Sequence, residues 1–222
     1  MISDDPSDGA LPEGISAQAT VDYTQMGVLR ADKAICDTKG NVSAHYVYSS
    51  LAPSLLRIKE GLESEFARLC PDTCEMSTDD VPTPELATKV PPLTATAVQR
   101  NPSLNYMFPA VGVIGTFVVP KLEEIGALDK IDVSIANLDS QMRPALKSGQ
   151  VTSDIYASSN WIGWAGTDQV IRLLGAEEPA DGAVAPMRMV TTEMMKDESL
   201  ADDADIFGTE YMTEFKKLWG VE

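Results

Sequence analysis

One feature constrains this chain more than any other: strand-like runs alternate with helix-like ones along most of its length. Asn41 to Tyr48 (NVSAHYVY) is a short run of β-branched and aromatic residues and reads as a strand. Leu55, Ile58, Leu62, Phe66 and Leu69 then form a single apolar stripe, which predicts a helix over 54–69 closed by Pro71. Strands are likewise predicted over 73–77, 103–108, 130–136, 151–157 and 187–192. Helices are predicted over 20–38, 84–100, 112–125, 140–148, 161–174 and 209–219. Pro91-Pro92 and Pro120 predict kinks or breaks, because an interior proline removes a backbone bond and clashes with the preceding turn. Asp79-Asp80-Val81-Pro82 reads as a solvated turn, residues 193–208 as a loop, and the first 19 residues as an extended lead-in.

Strands separated by helices are βαβ units. They imply an α/β fold, with a parallel sheet flanked by helices on both faces in a doubly wound, flavodoxin-like order. In such sheets ligands bind outside the carboxyl ends of the strands. That rule selects Ser49 and Ser50, then Phe108 to Val111, then Asn137 and Asp139, then Ser158 and Trp161. These residues offer hydroxyls, an amide, one carboxylate and aromatic rings, which suits a neutral, partly apolar small molecule. Several also have plain structural uses. Ser50 and Asp139 make good helix N-caps, Asn137 can close a turn, and Trp161 with Trp164 can simply be core.

The charge narrows the partners. The chain has 17 basic and 34 acidic residues, a formal charge of −17. The excess is spread over both halves of the sequence. No cluster of Lys and Arg is present to neutralise a nucleic-acid backbone or anionic lipid, so neither is an expected partner. No apolar run is long enough for a membrane-spanning helix. The opening MISDDPSDGALPEG has no basic start and no apolar segment, so it does not read as a signal peptide, and taken alone it places the chain in the cytoplasm.

Catalytic and metal signatures are missing from the sequence. It contains no G-x-S-x-G, no P-loop and no G-x-G-x-x-G after a strand. A single histidine, His45, and three cysteines give no metal-ligand set, so no metal, no cofactor and no enzymatic activity are expected. Cys70 and Cys74 are close enough for a local disulfide in an exported chain, or are inert thiols in a cytoplasmic one.

The order of elements resembles the C-terminal part of type I periplasmic binding proteins. These are the ribose-binding-like solute receptors of ABC sugar transporters, related to the effector domains of LacI-type repressors. The resemblance runs from about Val21 to Met195. It is carried by YTQMGVLRADKAICDTKGNVSAHYVYSS, LLRIKEGLESEF, NPSLNYMF, the helix ending KLEEIGAL, the stretch from KIDVSIANLDS through RPALKSGQVTS to WIGWAGTDQVIRLLGAEEP, and MRMVTTEMM.

The resemblance implies a solute-binding component of an ABC importer, periplasmic or extracellular, with a permease as partner and a sugar or other small solute as ligand. It carries a ligand-gripping arginine onto Ile58, beside Arg57. A polar pair falls on Val111 and Gly112, an aspartate on Asn137 and a glutamine on Ala157. Buried hydroxyls without partners are costly. These departures therefore imply a ligand less polar than a simple sugar, or a receptor that has lost its ligand.

By the same resemblance residues 1–19 are a hinge-side lead-in and 20–158 a complete lobe. Residues 159–222 are the end of a second lobe whose main part lies outside the sequence, so weakened binding is expected. The helix bearing Trp161 and Trp164 would then expose an apolar face and favour self-association. The alternative is a LacI-like effector-binding module working in the cytoplasm.

Overall fold

The computed structural model describes residues 2–3, 11, 13–137, 141–196, 200 and 202–221. In chain order its elements begin with β1 (Ile2–Ser3), β2 (Ala19–Thr20), α1 (Tyr23–Thr38), β3 (Ser43–Tyr48), α2 (Pro53–Leu69), β4 (Glu75–Asp80), α3 (Leu86–Arg100), β5 (Tyr106–Pro109) and α4 (Gly112–Glu124). They continue with β6 (Asp132–Ala136), α5 (Arg143–Ser148), β7 (Ser153–Ala157), α6 (Ser159–Leu174), β8 (Met187–Thr191), α7 (Thr192–Met195), α8 (Asp203–Phe207) and α9 (Glu210–Leu218). Two compact units result. The larger comprises Tyr23–Tyr156 and Met189–Lys196, and the smaller the described residues of 1–22, 157–188 and 197–222.

The six-stranded sheet has the order β4-β3-β5-β6-β7-β8. From β4 to β7 every neighbouring pair is parallel. The last strand reverses. Thr192 N–H donates to Thr152 O at 3.3 Å, and Ser158 N–H to Pro186 O at 3.1 Å, so the pairing runs antiparallel. The sheet is therefore mixed, with one antiparallel edge strand on an otherwise parallel sheet, a common finish for such folds.

Register sorts the core into two faces. Tyr46, Tyr106 and Phe108 share one face, and α1 and α2 cover it. Phe66 of α2 lies 6.3 Å from Phe108, and the Arg30 guanidinium of α1 sits 5.1 Å over the same ring. Met107, Val133 and Ile135 share the other face, where Gly115 of α4 meets the Ile135 side chain. The predicted stripe of α2 is buried at Leu55, Ile58, Leu62 and Phe66, each contributing about 2 kcal/mol, while Leu69 at the end of the helix is exposed.

Three local expectations need correction. Residues 86–100 form one helix that is not split at Pro91 and Pro92, and Pro120 likewise lies within α4. The carbonyls of Ala87 and Thr88, which lose the donors those prolines lack, sit on exposed residues where water can serve them. Asp79 and Asp80 are not a turn but the end of strand β4. Residues 193–208 include α7 and α8, the latter held by a capping box between Asp202 and Asp205.

Within the smaller unit, the aromatic face of α6 is not left bare. Trp164 stacks on Trp219 with ring centroids 5.3 Å apart and planes 5° from parallel, and Trp161 meets Phe215 edge-on at 6.0 Å. The helix α9 therefore partners that face, while Val170, Leu173 and Leu174 further along α6 stay exposed.

Candidate functional site at the carboxyl edge of the sheet

In the larger unit, the carboxyl ends of β3, β5 and β6 reach one edge because their registers are aligned, with Val47 opposite Pro109 and Met107 opposite Val133. Ser49 follows β3. It is buried, and its Oγ lies 3.3 Å from Thr83 Oγ1. Ser50 is exposed, and its N–H donates to Asp80 Oδ1 at 2.8 Å. Asp80 is thus a member of this edge that the sequence hid, because a strand pairing brings it there. Tyr48, half-buried at the end of β3, stacks on Tyr46 at 5.3 Å. In the sequence it reads as an ordinary strand residue.

After β5 the chain turns at Ala110 into α4, and Val111 is the extended residue before the helix, half-buried. After β6, Asn137 adopts a left-handed conformation with φ +55°, and its N–H donates to Ile155 O at 3.1 Å. Asparagine tolerates that region better than most residues. Asp139 lies outside the described residues.

The turn after β5 is held from beneath by Arg30. Its guanidinium is fully buried and donates to Pro109 O at 2.8 Å, to Ala110 O at 3.4 Å and to Ser134 O. Burial pushes the Arg30 pKa down to about 10, opposed by the charge of buried Asp154.

Two candidates from the sequence, Phe108 and Ile58, are core residues. Phe108 is a core residue with no exposure, packed under Arg30 and against Tyr106 at 4.9 Å. Ile58 is also fully buried, on the side of α2 that meets α1 near Gly27. Arg57, half-buried on α2, pairs with Glu60 at 3.0 Å, and that ion pair is exposed enough to be weak.

In the smaller unit, Ala157 and Ser158 are buried. Ser158 caps α6: its Oγ accepts from Trp161 N–H at 3.1 Å and donates to Asp203 Oδ1 at 2.8 Å. Asp203 lies 45 residues away in sequence and gave no sequence signal. Trp161 is half-buried against Phe215.

Cys70 and Cys74 are joined in a disulfide just beyond α2. No group of metal-ligating side chains occurs among the described residues, and no helix of the described residues is long and apolar enough to cross a membrane.

A mostly parallel sheet covered by helices is an architecture that this chain shares with solved solute-binding proteins of ABC transporters. The chain shares it with an ABC transporter solute-binding protein of Agrobacterium vitis bound with α-D-tagatopyranose, at TM-score 0.74 and 19% identity over 89% of this chain and 66% of that one. It shares it also with a carbohydrate transporter solute-binding protein of Agrobacterium radiobacter in complex with D-arabinose, at TM-score 0.73 and 18% identity over 83% and 64%. A third is GanP, a glucose-galactose binding protein of Geobacillus stearothermophilus, at TM-score 0.73 and 14% identity over 84% and 65%. The chain thus spans a little under two thirds of the length of these proteins, and at such identities the likeness is one of fold. No protein-family model matches the chain, and no curated protein does.

Proposed function

We propose that this chain is a solute-binding component of an ABC-type importer and captures a small neutral solute at the carboxyl edge of β3, β5 and β6. The single observation that carries the reading is the shared fold with sugar-bound transporter proteins, together with that edge presenting Ser50, Asp80 and Asn137. Residues 20–158 form the gripping lobe, the permease of the importer is the partner, and the site of action is the periplasm or the extracellular space. Transport and not catalysis is the role.

The ligand is less hydroxylated than the pentoses and hexoses held by those proteins. Positions that would grip sugar hydroxyls by family resemblance are Ile58, Val111 and Ala157 here, and Ile58 and Ala157 are buried. A hydroxyl facing them would lose its hydrogen bonds to water without replacement. Binding by the chain on its own is weak. Thermal-shift titration with D-arabinose, D-allose, D-tagatose and less polar cyclic solutes tests this. At ten times the dissociation constant a bound solute stabilises by about 1.4 kcal/mol. A saturable rise in melting temperature at millimolar solute is expected, largest for the less polar compounds. Submicromolar affinity for a simple sugar, or no response to any solute, would overturn the reading.

A further inference from the structure

The smaller unit contains a cavity that the carboxyl-edge site does not use. It has a volume of about 540 Å³ and lies between α6 and α9, both within that unit. Small-molecule pockets typically occupy about 300–1,000 Å³. Asn160, Gly163, Trp164 and Thr167 line it from α6. Their spacing of three, one and three puts them on one helical stripe. Met212 of α9 and Trp219, the residue that caps its carboxyl end, line it from the other side.

The chemistry of the lining is specific. No charged side chain takes part. The indole rings of Trp164 and Trp219 and the thioether of Met212 supply a broad apolar wall. Ser159 and Asn160, both exposed, supply a hydroxyl and an amide at the rim. Thr167 Oγ1 donates to Gly163 O at 2.8 Å, so its lone pairs remain free to accept. Gly163 keeps the cavity open, since a Cβ built there would meet nothing within 4 Å.

We propose that this cavity is a second ligand site, taking a neutral ring that carries hydroxyl groups. The ring packs against the part of the stacked indole pair that lines the cavity, and its hydroxyls bond to Ser159, Asn160 and Thr167. A pyranoside and a phenol both present that chemistry. Neither the strand edge nor the transport reading is needed for this site.

The protein offers a direct readout. It has three tryptophans, and all three, Trp161, Trp164 and Trp219, belong to the aromatic cluster of this unit. Tryptophan emission therefore reports on the cluster without labelling. The intact chain is titrated with methyl β-D-glucopyranoside in one arm and with 4-methylphenol in the other, read by emission and by calorimetry.

The expected result is a saturable change with at least one probe, weakened roughly tenfold or more in Gly163→Leu. Leucine at that position fills the cavity while raising helix propensity, so the variant keeps its fold. Saturation in one arm and not the other assigns the ring class. Saturable binding that Gly163→Leu leaves unchanged would overturn the proposal, as would no saturable response in either arm. The variant leaves the carboxyl edge untouched, so failure of this site and failure of the transport reading are separable.

Discussion

Gly27 of α1 and Gly61 of α2 face each other where the two helices cross. A Cβ added at Gly27 would come within 2.1 Å of Ile58 O, and one at Gly61 within 2.1 Å of Thr24 O. Both obstacles are backbone, which cannot swing aside. Gly27→Ala and Gly61→Ala should each destabilise the larger unit by about 3 kcal/mol, the upper end for overpacking. Urea unfolding would show a lower midpoint with an unchanged slope. A variant of unchanged midpoint would mean that the helices can separate freely.

Arg30 ties α1 to the end of β5, the turn after it and the middle of β6 through three carbonyls. Its charge is set against Asp154, which is buried as deeply. Arg30→Met should remove the guanidinium and leave a buried carboxyl group without its countercharge, costing about 3–5 kcal/mol. Arg30→Lys should not rescue it, because an ammonium cannot span three acceptors in a plane. Denaturant titration of both variants checks this, and near-wild-type stability for the lysine variant would refute the planar requirement.

His45 is buried between β4 and the core. Asp79 can only accept, so Nε2 carries the proton and donates to Asp79 Oδ2 at 3.1 Å, while Nδ1 accepts from Ser77 Oγ–H at 2.8 Å. Burial holds the His45 pKa below its ordinary value of 6.5, with Asp79 opposing. A lowered pKa means the unfolded chain binds the proton more readily. Stability associated with His45 is therefore complete above about pH 6.5 and falls as pH drops through the lowered value. His45→Gln should flatten that part of the melting-temperature profile between about pH 7 and about pH 5. A profile as steep as wild type would assign the loss to other groups.

Ser158 was selected by sequence as a ligand contact, and its hydroxyl is already engaged twice in the structure. Ser158→Ala should cost about 1–3 kcal/mol, from a lost cap and an orphaned bond at Asp203. It should leave solute affinity at the carboxyl edge unchanged once the lower stability is taken into account. Loss of binding by a folded Ser158→Ala chain would restore it to the ligand set.

The sequence by itself determined most of the element types and the fold class. Apolar period and β-branched runs are local signals, and the stripe of α2 or the run SAHYVY needs no distant partner to be read. Glycines at +φ positions after α1, α4 and α5 ended those helices as their chemistry requires. Tertiary structure alone decided which residues at the strand ends face outward and which are core. Phe108 and Ile58 sit at favoured sequence positions, yet register and the approach of α1 bury both. Asp79 and Asp80 look like a solvated turn until β4 pairs with β3 and carries one to His45 and the other to Ser50. The reversal of β8 and the cover that α9 gives to Trp161 and Trp164 are equally non-local. Periodicity reports which face of an element is apolar, but only the packed chain specifies what that face meets.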